Sequence, residues 1–91
     1  MDFNTVERLH MKTIVAYYFA GPAGNSPGLQ IGFEFSKREY DTQPYIPKSG
    51  DPVALSYGTD PAQAAIFTVT NVQVILTSST TDVFDVYVTL N

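Results

Sequence analysis

Cysteine and tryptophan are both absent from the 91 residues, and histidine occurs once, at His10. Without cysteine there is no disulfide staple, no thiolate metal site and no thiol nucleophile. The absence also leans towards a reducing compartment, so a cytoplasmic location is expected. One histidine with no cluster of carboxylates around it in sequence does not supply the three or four ligands of a zinc site, and neither metal nor other cofactor is expected. Charge is sparse as well. Five basic residues against nine acidic ones leave a net −4, a balance that opposes general binding to a phosphate backbone and so argues against nucleic acid as a partner. No run approaches the roughly 20 apolar residues that cross a bilayer, and no membrane partner is expected. The stretch nearest to a secretion signal runs from Met11-Lys12 through TIVAYYFA to Ala20, Gly21 and Ala23. It carries Tyr17 and Tyr18, and Asp2 and Glu7 lie upstream where positive charge is wanted. Met11 also reads as an alternative start, with the first ten residues an upstream extension.

Catalytic groupings are equally thin. Ser78, Ser79 and the threonines beside them have no base to draw on except His10, and loop hydroxyls bonding their own backbone account for them. Asp82 and Asp85 read as solvated acids near a hairpin loop. Glu34, Glu39 and Asp41 are the remaining material for a carboxylate pair, but a barrel this small offers no large cleft. A small carboxylate-dependent enzyme is thus the least supported reading, and no enzyme is expected.

Apolar residues make up 44% of the chain, enough for one thin-cored domain spanning 1–91, with 1–12 as an N-terminal helical extension. The strongest pattern is in the last third. Phe84, Val86, Val88 and Leu90 alternate with Asp85, Tyr87 and Thr89, as in a strand with one buried face. Ahead of it, Phe67 and Val69 fall in one phase, whereas Val72, Val74 and Leu76 fall in the other. A residue inserted near Thr70-Asn71, a β-bulge, would bring both sets to the core side. Such bulged, strongly twisting hairpins curl small sheets towards barrels.

Upstream, Asn4 and Glu7 suggest a capping box for a short helix over Phe3 to Met11, about two turns long and marginal without packing. Thr13 to Ala20 reads as a strand apolar in both phases, which calls for cover on both faces. Gly21 to Gly28 holds three glycines and two prolines, a loop resembling a flap more than a tight turn. Leu29 to Ser36 alternates as a strand, with Leu29, Ile31, Phe33 and Phe35 inward and Gly32 marking a bend or close approach. Pro44, Pro47, Gly50 and Pro52 stiffen the next connection. Val53, Leu55 and Tyr57 form a short strand, and Asp60 to Ala65 a helical turn capped by Asp60 with Pro61 at its first position. Ile31, Phe33, Phe35, Val53, Leu55, Phe84, Val86 and Val88 are the expected core.

The run Pro47-Lys48-Ser49-Gly50-Asp51-Pro52-Val53-Ala54-Leu55, followed by Phe67 to Val72 and by Val86-Tyr87-Val88, resembles the small SH3-like barrels of many uncharacterised bacterial proteins. The resemblance covers about half the chain and departs from that pattern at Pro52, which removes a donor at the strand entrance. The peptide-binding SH3 pattern is missing: there is no Ala-Leu-Tyr-Asp-Tyr-like run and no tryptophan to floor a proline groove. What the resemblance implies is a fold, and it carries over no site. The expected architecture is mainly β: a small five-stranded, strongly bent antiparallel sheet or SH3-like barrel with one or two short helical turns. In type, such chains look like products of phage or other mobile genetic elements.

Six tyrosines exceed what a thin core holds, and tyrosine is enriched at interfaces. Together with the doubly apolar strand and the short N-terminal segment, they point to a non-enzymatic interaction module that forms a homodimer or binds another protein. Val15, Tyr17 and Phe19 are the expected interface. The alternative is a weak binder of single-stranded nucleic acid or of a small ligand, using Lys37, Arg38 and Lys48 with Tyr40 and Tyr45 as stacking partners.

Overall fold

The computed structural model describes residues 12–21, 29–57, 64–76 and 81–90. Five strands, β1 (Lys12–Phe19), β2 (Glu34–Tyr40), β3 (Pro52–Ser56), β4 (Ala64–Leu76) and β5 (Thr81–Leu90), make one sheet in the order β2-β1-β5-β4-β3. The sheet is strongly curled into a half-barrel, and the described residues contain no helix. The expected helical extension lies outside the described residues up to Met11, as do His10, Ser78, Ser79 and the loop from Pro22 to Gly28. Of the expected helical turn, Asp60 to Gln63 fall outside as well, while Ala64 and Ala65 begin β4.

Three ladders are antiparallel, but β1 runs parallel to β5, from Lys12↔Thr81 to Phe19↔Val88. The sheet is therefore mixed rather than antiparallel throughout. Parallel neighbours need a long crossover, and here β2, β3 and β4 together supply it, so local pattern in either strand carries no sign of the pairing.

The hairpin of β4 and β5 follows the expected bulge. Val69 lies opposite Val88, yet Asn71 lies opposite Tyr87, leaving Thr70 as the extra residue. The Thr70 hydroxyl donates to the Tyr87 carbonyl at 3.0 Å. Across the bulge the apolar set changes phase without changing face: Phe67, Val69, Val72 and Val74 oppose Leu90, Val88, Val86 and Phe84.

Val15, Phe19, Leu29, Phe67, Val69, Val86 and Val88 form the buried core, with Phe35, Val53, Leu55 and Phe84 partly buried against it. Rings organise one end. Phe67 meets Phe35 at 4.9 Å, Phe19 at 6.2 Å and Tyr57 at 6.5 Å between centroids. The fully buried rings, Phe19 and Phe67, each contribute roughly 1.5–3 kcal/mol through burial.

The expected strand over Leu29 to Ser36 is corrected in position. β2 begins at Glu34, and Phe33 N–H closes a turn on the Gln30 carbonyl at 2.9 Å. Gly32 takes φ +93°, a left-handed conformation that costs glycine little. The turn docks on the end of β1 through Gly32 N–H to Phe19 O and Phe19 N–H to Phe33 O, both 2.8 Å. Ile31, expected in the core, is therefore 68% exposed at the turn, and Phe33 is also exposed. A second irregularity lies in β2: Tyr17 opposes Ser36 but Tyr18 opposes Glu34, so Phe35 is skipped. Its ring packs edge-on against Phe19.

Gly21, just past β1, is buried. A Cβ there would lie 3.0 and 3.1 Å from ring carbons of Phe19 and 3.2 Å from the Leu90 nitrogen. Gly21→Ala is expected to cost about 1–3 kcal/mol through overpacking. Urea unfolding checks this: the midpoint should fall with an unchanged slope, and an unshifted midpoint would show that the ring moves aside freely.

Candidate functional site

The expected interface residues are placed elsewhere by the fold. Val15 and Phe19 are buried in the core of the single chain and Tyr17 is half-buried. Their phase of β1 faces the concave side, and the outward phase is Ile14, Ala16 and Tyr18. Both phases are apolar, so alternation offered no means of choosing between them. The outward phase is partly covered: Ala16 has no exposed surface, and Tyr18 stacks on Tyr87 at 5.5 Å. Burial, with Asp85 and Glu34 beside it, pushes the Tyr18 phenol above its ordinary pKa.

The alternative ligand face is partly assembled. Arg38 opposes Val15 and Tyr40 opposes Thr13, on the concave side, whereas Lys37 opposes Ala16 and lies on the other face of β2. Tyr17, Tyr40 and Tyr45 gather closely enough that, after burial, the two neighbouring phenols raise the pKa of Tyr17 further. Tyr45 and Lys48 belong to a turn built on Asp51. The Asp51 carboxylate accepts from the Tyr45 hydroxyl at 2.8 Å and from Lys48 N–H at 2.9 Å. Gly50, at φ +97°, lets its N–H reach the Val69 carbonyl at 2.7 Å, and Val69 N–H donates to Asp51 O at 2.9 Å. This turn anchors the start of β3 beside the β4 bulge.

Lys48 N–H first, then the Tyr45 hydroxyl, hold the Asp51 carboxyl below its usual range. A depressed folded-state pKa contributes stability that is present above the unfolded value and lost as pH falls through the folded one. The turn is thus expected to persist through the ordinary carboxylate titration and loosen only at lower pH. Following the Lys48 amide by NMR checks this; a midpoint at the ordinary aspartate value would show the two hydrogen bonds to be absent in solution.

Of the acids considered for catalysis, Glu34 and Glu39 stay apart. Glu34 and Glu39 lie opposite Tyr18 and Ile14, about 13 Å apart along β1 at the usual rise, beyond the roughly 10 Å limit for a working carboxylate pair. Glu39 instead meets the Lys12 ammonium at 3.3 Å. Among the described residues no three His, Asp or Glu side chains gather for one ion, and no helix is long and apolar enough to cross a membrane.

The feature that pattern reading missed is the open edge of β4. β3 pairs with β4 only from Ala64 to Thr68, and the Asp51 turn reaches Val69 and Thr70. Beyond that, among the described residues, nothing pairs with the β3 side of Asn71 to Leu76. Ala20 N–H donates to Val88 O at 2.7 Å, so the Val88 backbone is turned towards β1. Alternation then turns Val83, Asp85 and Tyr87 towards β4. Their partners Ile75, Gln73 and Asn71 bond to β5, and Val72, Val74 and Leu76 direct N–H and C=O to the open edge. Side chains here are exposed too: Val74 by 50% and Leu76 by 75%, with Ile75 exposed on the opposite face. Val74 and Leu76 are expected inside and do lie on the core side, but β3 is too short to bring cover that far. The signal was in the lengths, five residues of β3 against 13 of β4.

Among the described residues, fold and edge together define an all-β half-barrel with an unprotected strand segment. No family model matches the chain significantly, and no curated protein or solved structure does either.

Proposed function

We propose that the chain is a non-catalytic interaction module that works by self-association. The supporting observation is the uncharged open edge from Asn71 to Leu76. Unpaired strand edges template pairing with another chain unless charge, proline or cover protects them, and this one has none of the three among the described residues. Cysteine-free composition fits action in the cytoplasm. Sedimentation equilibrium across the micromolar to millimolar range is the test. The mass should rise with concentration above the 10.0 kDa of one chain, whereas a constant 10.0 kDa would end the reading.

A second reading, weak binding of single-stranded nucleic acid or of a small ligand, is favoured by the gathering of Tyr17, Tyr40 and Tyr45 on the face that carries Arg38. Salt-dependent binding of a labelled oligonucleotide would support it.

A further inference from the structure

We infer that the open edge of β4 takes a second copy of this chain, antiparallel and two-fold related, with Val74 on the axis, so that two half-barrels share one continuous sheet. The inference rests on the self-association reading and specifies its surface.

The other edges are unsuited to such pairing. β2 presents Glu34, Lys37, Arg38 and Glu39 within seven residues, and β3 is five residues long and starts at Pro52, whose nitrogen carries no hydrogen. Charges, shortness and proline are the usual protections of an edge. Asn71 to Leu76, by contrast, reads NVQVIL, rich in β-branched residues and free of charge, glycine and proline. Two chains of net −4 would meet there without placing like charges face to face.

Self-pairing is favoured over pairing with an unrelated strand because the segment complements itself. Directly opposed residues in antiparallel strands share a face. With Val74 opposite its own copy, Val72 opposes Leu76 of the second copy and Gln73 opposes Ile75 of the second copy. Every exposed apolar group on the concave side then meets another. In the same register Val72, Val74 and Leu76, whose backbone groups are turned outward, all exchange bonds, about six in total. A slip of one residue sets Val74 against Gln73 and breaks the match of faces. A slip of two, centring on Gln73, sets Leu76 against the bulged Thr70 and loses part of the ladder. A six-residue strand pair buries less than the roughly 800 Å² per partner of a stable complex, so association is expected at micromolar or higher concentration.

The lack of native cysteine makes the test clean. Val74→Cys should form a covalent dimer on mild oxidation, since opposed Cα atoms about 5.5 Å apart are within disulfide reach. Ile66→Cys, equally exposed but beside β3, should stay monomeric. Val74→Lys, which places an ammonium against its own copy, should weaken association about 100-fold or more with an unchanged far-ultraviolet spectrum. If that variant does not fold, the cysteine pair decides alone. Wild-type association with no selective cross-link at residue 74 would overturn the assigned surface and leave self-association standing. A wild-type mass fixed at 10.0 kDa would overturn both.

Discussion

Phe67→Ala is expected to lower the free energy of unfolding by about 3–5 kcal/mol. Phe67 has no exposed surface and meets the rings of Phe19, Phe35 and Tyr57. It also joins the two halves of the sheet, opposing Val53 on β3 and Leu90 on β5. The rings around it come from three separate segments, so its removal leaves a gap between them. A domain of this size has about 5–15 kcal/mol in all, so the variant should be marginal at room temperature. Phe33→Ala is the comparison. That side chain is 36% exposed and its ring meets that of Phe35 alone among the described aromatic rings, so its loss should cost less than half as much. Denaturant midpoints measured side by side decide the point. Equal midpoints for the two variants would remove Phe67 from its central role.

Deleting Thr70 is expected to abolish cooperative folding. With that residue gone, β4 alternates without interruption. Either Phe67 and Val69 leave the core, or Val72 and Val74 exchange faces with Asn71 and Gln73. Phe67 and Val69 are almost fully buried, and losing both costs about 3–6 kcal/mol before the polar groups brought inward are counted. Thr70→Ala separates register from hydrogen bonding. It keeps the residue count and removes only the 3.0 Å hydroxyl bond to Tyr87 O, for about 1 kcal/mol. Near-ultraviolet circular dichroism and thermal melting distinguish the outcomes. A deletion variant that melts like the parent would show that β4 tolerates an unbroken ladder.

Patterning made the β4–β5 hairpin legible because each half of β4 alternates cleanly and the two halves disagree in phase. A strand with one buried face tolerates that only through an inserted residue. Leu29 to Ser36 alternates just as well, yet its first half is a turn. Period two records which side chains are apolar, not whether the backbone is extended, and Gly32 at positive φ made the other conformation available. In β1 alternation cannot place the candidate surface: Val15, Tyr17 and Phe19, the expected interface, face the core, in a strand where Ile14, Ala16 and Tyr18 are equally apolar.

By itself, then, the sequence determined the all-β class, the bulge at Thr70-Asn71 and the burial of Val86 and Val88, since these follow from local alternation and turn chemistry. Tertiary structure alone decided that β1 lies parallel to β5, which phase of β1 faces the core, and how far β3 runs beside β4. Each of these depends on contacts between segments distant in the chain. Among the described residues, the last of them leaves Val72, Val74 and Leu76 with backbone groups at an open edge, because a five-residue strand cannot cover a 13-residue neighbour.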